Sequence, residues 1–416
     1  MLLSGEDLYY ESEGFPSLRL RAEYDPFNQE REFWHYGTAT MRGAGYGRNF
    51  ANEEVRLRGR GNSTWWFGRD KRPLRLRFSP PRYMLGSCNP HRDWILLANH
   101  FDRSLMRNHV AFYLGGLLEG LDFTPMSRFV HLYVNNVYMG VYQLTDERNL
   151  GPGRTEIHLD SDPTLSEFML EMDGRVRYIP ENEGLTWVRT NSGPLDIRFP
   201  SGDYHTLEHA AYVRAFINRV GSAISGGNFE EIARLIDIPS FVDFFLVQEL
   251  IKNPDVGWSS VFMTLRGTGE GRRVFMGPLW DFDIAIGNYH DQAHGRWAME
   301  GKYGYSPYGL TAATRNSWFR DLMHVPEFAE ITANRWKEIR DSQIAQTLRN
   351  IEYLAVTYEM EFNRNFQRHD IMGIYLWQDP AHIIEIETFM GHVEFLLSWL
   401  ERRIVWLDGY FSQFAN

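Results

Sequence analysis

The chain has 416 residues, of which 43% are hydrophobic and 15% aromatic, and a formal charge of −11. The length predicts two domains or lobes, the composition excludes a disordered chain, and the acidic balance excludes a general nucleic-acid binder, which needs a basic face. One cysteine, Cys88, excludes an intrachain disulfide framework; neither a leader nor an apolar run of about 18 residues is visible, so no membrane span is expected and both a cytoplasmic and an exported location fit.

In chain order, LRLRAEY (18–24), VRLRG (55–59) and LRLRF (74–78) alternate apolar residues with arginine, the period-2 pattern of half-buried strands. WILLA (94–98), FVHLYV (129–134) and YMGVYQL (138–144) continue it, and Asn135-Asn136 suits a tight hairpin turn. One helix is expected over 102–120, ended by Gly120. A connector rich in Gly, Pro and acidic residues covers about 151–203. From about 205 the pattern turns helical, in HTLEHAAYVRAFINRV, PSFVDFFLVQELI and HVEFLLSWLERRIVWL, interrupted by the strands VFMTL (261–265) and RVFMG (273–277). The expected class is α+β, with a strand-rich part over 1–170 and a mainly helical part over 171–416.

Three stretches carry candidate chemistry. RLRGRGNSTWWFGRDKRPLRLRF (56–78) runs from strand through a glycine-bearing loop to strand. Its backbone N–H groups, Arg60, Asn62, Lys71 and Arg75 suit an anion; a twisted hairpin with a basic solvent face is the plainer reading. In QELIKNPDVGWSS (248–260), Pro254 ends an apolar helix and leaves Asp255 on a rigid turn beside Lys252. A carboxylate fixed there suits orientation of a hydroxyl nucleophile, or merely caps the turn. In GPLWDFDIAIGN (277–288), Asp281 and Asp283 share a face if extended. That suits Mg²⁺ on a phosphate chain, or two aspartates met by arginines. Lysine is rare here: Lys71, Lys252, Lys302 and Lys337 are the four, so a lysine near a suspected site is informative. His205 and His209, four apart in HTLEH, lack a third zinc ligand, and Asp160-Ser161-Asp162 reads as turn chemistry.

The order of these stretches matches protein kinases: a phosphate-covering loop, a catalytic-loop aspartate, then a strand pair ending in a metal-binding aspartate. RGRGNSTW, KRPLRLRF, HFDRSLMRNHVAFYL, YVNNVYMGVYQLTDE, FMLEMD, ELIKNPD and GPLWDFDIAIGN together resemble the CotH (spore-coat protein H) kinases, over roughly 55–290. The resemblance implies a bilobal protein-kinase-like fold, ATP with Mg²⁺ or Mn²⁺, and phosphorylation of serine in a partner protein, with spore coat proteins the family association. It makes Asp255 the catalytic-loop aspartate, with Lys252 beside it, and Asp281 the metal ligand, assisted by Asp283. Ser260 falls where ordinary kinases carry a metal-binding Asn, and Lys71 or Arg75 would meet the phosphates. Trp280 and Phe168 are candidate adenine-stacking faces. The 102–120 helix has no mid-helix glutamate to pair with the basic residue. Two other readings stand beside this one: a catalytically weak kinase-like binding module, and another nucleotide-dependent transfer, of AMP or of a sugar.

Overall fold

Seven strands form the first sheet: Ser17–Ala22 (β1), His35–Arg42 (β2), Phe50–Gly59 (β3), Leu74–Arg82 (β4), His91–Leu97 (β5), Ser127–Val134 (β6) and Val137–Asp146 (β7). In this computed structural model, which describes residues 14–44, 48–68, 70–87, 89–202, 205–289, 306–377 and 379–414, they close into a barrel in the order β1-β2-β3-β4-β5-β7-β6. Cys88 and Lys302 lie outside the described residues. The strand-rich part expected over 1–170 therefore holds a closed barrel. Closure comes from a parallel pairing of β1 with β6, Ser17 opposite His131 through Leu20 opposite Val134. Leu18, Leu20, Leu57, Leu74, Leu76, Trp94, Leu132 and Leu144 fill the interior. At the β6–β7 hairpin Asn135 and Asn136 have φ of 48° and 67°, the double positive φ of a type I′ turn.

The chain divides into two compact units, neither contiguous. The first is the barrel with residues 348–396; the second comprises 111–124, 154–347 and 397–416. In the first, helix Glu359–Arg368 lies on β6 and β7: His131 Nε2 meets Glu361 Oε2 at 2.5 Å, and the Val141 N–H donates to Asn365 Oδ1 at 3.2 Å. The helix expected over 102–120 spans only Arg107–Gly115. Leu105 has a φ of 59°, so the residues before it form a turn, braced by Asp102, whose carboxylate accepts the N–H groups of Ser104 and Arg107.

The second unit holds an antiparallel sheet of Phe168–Met172 (β8), Trp187–Thr190 (β9), Gly193–Phe199 (β10), Val261–Arg266 (β11) and Arg273–Met276 (β12), ordered β12-β11-β8-β10-β9. Its helices start where caps allow: Thr206, Asn228 and Asp237 each accept a backbone N–H at the heads of helices Leu207–Gly226, Phe229–Leu235 and Ile238–Ile251. The last of these is buried from Ser240 to its end and delivers the chain to the loop before β11. No helix among the described residues is long and apolar enough to cross a membrane.

Candidate active site

Helix Ile238–Ile251 stops because Lys252 turns left-handed, with φ 48° and ψ 57°, and returns its N–H to the carbonyls of Gln248 and Glu249. A short 3₁₀ turn, Pro254–Gly257, follows; the Asn253 side chain caps it by accepting the Asp255 N–H at 3.1 Å. Two loop ends therefore meet on this side of the sheet. One carries Asp255 and Ser260, and the other, after β12, carries Asp281. Ser260 Oγ donates to Asp281 Oδ2 at 3.0 Å, and Asn253 Nδ2 reaches the Asp281 carbonyl at 3.5 Å. Lys252, Ser260 and Asp281 all have positive φ, at 48°, 59° and 71°. Non-glycine residues held there cost free energy and concentrate at functional sites.

The charges explain the site's chemistry. Burial, then the nearby Asp281 charge, pushes the Asp255 carboxyl up to about 7, against the pull of Arg175 and Arg315. Like-charged carboxylates this close favour a bound cation or a shared proton. Asp283 is buried two residues beyond Asp281, and its carbonyl accepts Asn288 Nδ2 at 2.8 Å. No group of three or more His, Cys, Asp or Glu among the described residues has metal-binding geometry. The donor set still fits Mg²⁺, which is commonly held by one or two carboxylates plus phosphate and water.

Two arginines that sequence reading missed complete the surroundings. Arg175 is the second residue of the 3₁₀ turn Gly174–Tyr178 after β8, its backbone N–H, Nε and Nη2 all donating to the Asp173 carboxylate at 2.9, 2.7 and 2.9 Å. Burial opposes its charge, yet Asp173, Glu171 and Asp281 hold the guanidinium above its ordinary value. That turn is docked on the Asp255 loop: the Gly174 N–H donates to the Trp258 carbonyl at 2.6 Å, and a Cβ at Gly174 would fall 2.4 Å from the Trp258 ring. Arg315 Nη1 donates to the Pro254 carbonyl at 2.8 Å from a helical turn, Ala312–Arg315. In sequence, Arg175 follows two residues after the FMLEMD stretch (168–173), which is the signal that points to it.

Several expected site residues have other work. Phe168 is fully buried in β8 against Tyr212 and His209, and Trp280 is buried against Phe112, so neither ring offers an open face for adenine. Lys252 Nζ donates to the carbonyls of Ser306 and Tyr308 at 2.9 and 2.7 Å, which makes it a positioning group for that segment. His209 is satisfied by Thr206 and the Asp160 carbonyl, while His205 Nε2 meets the Leu185 carbonyl and its buried Nδ1 has no hydrogen-bond partner; neither belongs to a metal-binding group among the described residues.

In the barrel unit the 59–73 connection is not an open glycine loop. Asn62 heads a single helical turn, Ser63–Trp66, and its Oδ1 accepts Arg31 Nη1 at 2.8 Å. The Trp65 ring would lie 2.3 Å from a Cβ at Gly59, which explains that glycine. The Arg60 N–H ties the neck of the connection to the Pro73 carbonyl at 3.2 Å. Arg75 Nε is engaged with Asp93 at 3.2 Å and Glu147 at 3.5 Å. Lys71 is different. It is fully buried, its Nζ has no hydrogen-bond partner among the described residues, and Nζ lies 5.3 Å from the centroid of the Tyr142 ring. Burial drives its ammonium down to about 7, opposed by the charge of Asp102.

The sequence model of one family, described as CotH kinase protein, matches residues 57–407, a span that contains Lys71, Asp255 and Asp281. The chain belongs to the CotH kinase family. No curated protein matches it. Family membership gives kinase-like phosphotransfer as the general activity, and covers both compact units rather than the Asp255 site alone.

Proposed function

We propose that this CotH-family protein transfers a phosphoryl group from ATP, with Mg²⁺ or Mn²⁺, to serine hydroxyls of a partner protein, on a kinase-like bilobal framework. The supporting observation is the Asp255–Asp281 pair: burial, then the Asp281 charge, pushes the Asp255 carboxyl up to about 7. A carboxylate with that pKa is part-deprotonated near neutrality, so it can orient an acceptor hydroxyl and receive its proton. Asp281, assisted by Asp283, supplies hard oxygen donors for the divalent ion, which when bound neutralises phosphate charge. Ser260 fixes one carboxylate oxygen of Asp281 by hydrogen bond. Arg175, held in fork geometry by Asp173, adds positive charge beside both aspartates. Lys71 is the proposed phosphate contact of the barrel unit, because an anion would restore the charge that burial removes.

Incubation with labelled ATP and Mg²⁺ or Mn²⁺, reading autophosphorylation first, tests this. Labelling is expected for the wild type and is lost in Asp255→Ala and Asp281→Ala, by about 10³-fold or more, with the fold retained. Undiminished labelling in either variant sinks the assignment. Intact-mass analysis of the product distinguishes a phosphoryl adduct from AMP or sugar transfer.

A further inference from the structure

The outward face of β3 and β4 carries an arrangement that the catalytic reading does not use. Arg56 lies directly opposite Arg77, and Arg58 directly opposite Arg75. Like charges at directly opposed sheet positions are destabilising, and here the sequence places two such pairs side by side. On β4 the repulsion is relieved, since Asp93 lies 2.8 Å from Arg77 and 3.2 Å from Arg75. On β3 it is not. Among the described residues Arg56 and Arg58 have no ion pair or hydrogen bond, and Arg58 Nε is buried without a partner. Burial, then the Arg75 charge opposite, holds the Arg58 guanidinium below its ordinary value; the nearby carboxylates are already paired, Glu32 with Arg31 and Glu147 with Arg75 and Arg148.

What gathers these cations is an indole. The guanidinium carbons of Arg56, Arg58 and Arg77 lie 5.6, 5.1 and 5.0 Å from the Trp34 ring. Around it Tyr36 and Phe33 are 65% and 53% exposed. Arginine and aromatic side chains grouped this way have the composition of a binding hot spot.

We propose that this face of the barrel is a docking surface for an extended, carboxylate-rich segment of a partner protein. Arg56 and Arg58 are two residues apart on one strand face, about 6.7 Å, and alternate side chains of an extended peptide have the same spacing. Successive carboxylates on such a peptide therefore meet successive arginine forks, each suited to bidentate pairing. The exposed rings of Tyr36 and Phe33 receive the apolar side chains around them. A chain of net charge −11 repels a long nucleic acid, whereas a short acidic segment reads only the local field. The surface is independent of the phosphotransfer reading and is tested without ATP.

The test is fluorescence anisotropy of a labelled peptide of alternating glutamate and valine, titrated with the full chain. The wild type is expected to bind it and not the lysine–valine counterpart. Arg56→Gln with Arg58→Gln should weaken binding about tenfold or more, and Trp34→Ala should weaken it less. Arg214→Gln with Arg219→Gln, which removes equal charge from exposed positions of helix Leu207–Gly226, should leave binding unchanged. The Arg56/Arg58 variant should keep its melting temperature, since it removes a repulsion. Three outcomes overturn the proposal: equal weakening by the Arg214/Arg219 control, tighter binding of a single-stranded oligonucleotide than of the peptide, or a fall in melting temperature showing that the two arginines are structural.

Discussion

Lys71 in the barrel unit and Lys252 in the second unit are both buried, and they differ in what meets the ammonium. Lys252 gives two of its three N–H bonds to the Ser306 and Tyr308 carbonyls. Close by, Arg403 donates to the Glu249 carboxylate and carbonyl and to the carbonyls of Pro307 and Gly309, while Glu249 also accepts the N–H groups of Thr311 and Ala313. Every charge in that group is compensated from within the chain. Lys71 has no hydrogen-bond partner among the described residues; near it are the Tyr142 ring, the Asp102 charge and His369. Burial alone does not mark a functional cation. What marks it is a desolvation cost that the protein leaves uncompensated for a ligand to meet.

Three variants sharpen or break that contrast, read by denaturant unfolding. Arg403→Met should cost the most, about 3–5 kcal/mol, because it strands Glu249 as a buried, partly unpaired charge. Lys252→Met should cost less, about 1–3 kcal/mol, for two carbonyls left without donors. Lys71→Met should cost little or nothing while lowering phosphotransfer about 10²-fold. It also has a pH signature. The Lys71 ammonium is lowered from 10.5 to about 7 in the folded chain. Between those values the unfolded chain holds the proton and the folded chain does not, so wild-type stability should rise with pH by up to about 1.4 kcal/mol per unit. In Lys71→Met that component of the slope should vanish. A Lys71 variant as damaging as the Arg403 one, or with the wild-type slope, would break the distinction.

Much of this was legible in the residues, for definite reasons. The leucine–arginine strands were readable because their inward positions are uniformly apolar; Leu18, Leu20, Leu57, Leu74 and Leu76 are all buried. Strand β2, HYGTATMR, was not read, since Thr and Gly interrupt its pattern and its register carries a bulge between Ala39 and Met41. Barrel closure was invisible because it depends on β1 meeting β6, over a hundred residues later. Asp255 and Asp281 were legible from their loop chemistry and order. Arg175 and Arg315 were not, because only the folded chain brings residues so distant in sequence around one carboxylate. Rarity singled out Lys71 and Lys252 equally; only their hydrogen bonds separate them.

The parallel β1–β6 pairing and the return of residues 348–396 to the barrel unit also set the timing of folding. During synthesis β1 emerges first and has no partner on one edge until residue 134 has left the ribosome. Helix Glu359–Arg368, which braces β6 and β7, arrives later still. The first unit therefore completes only after nearly all of the second has been made, and the nascent barrel spends that interval without the helix that covers β6 and β7.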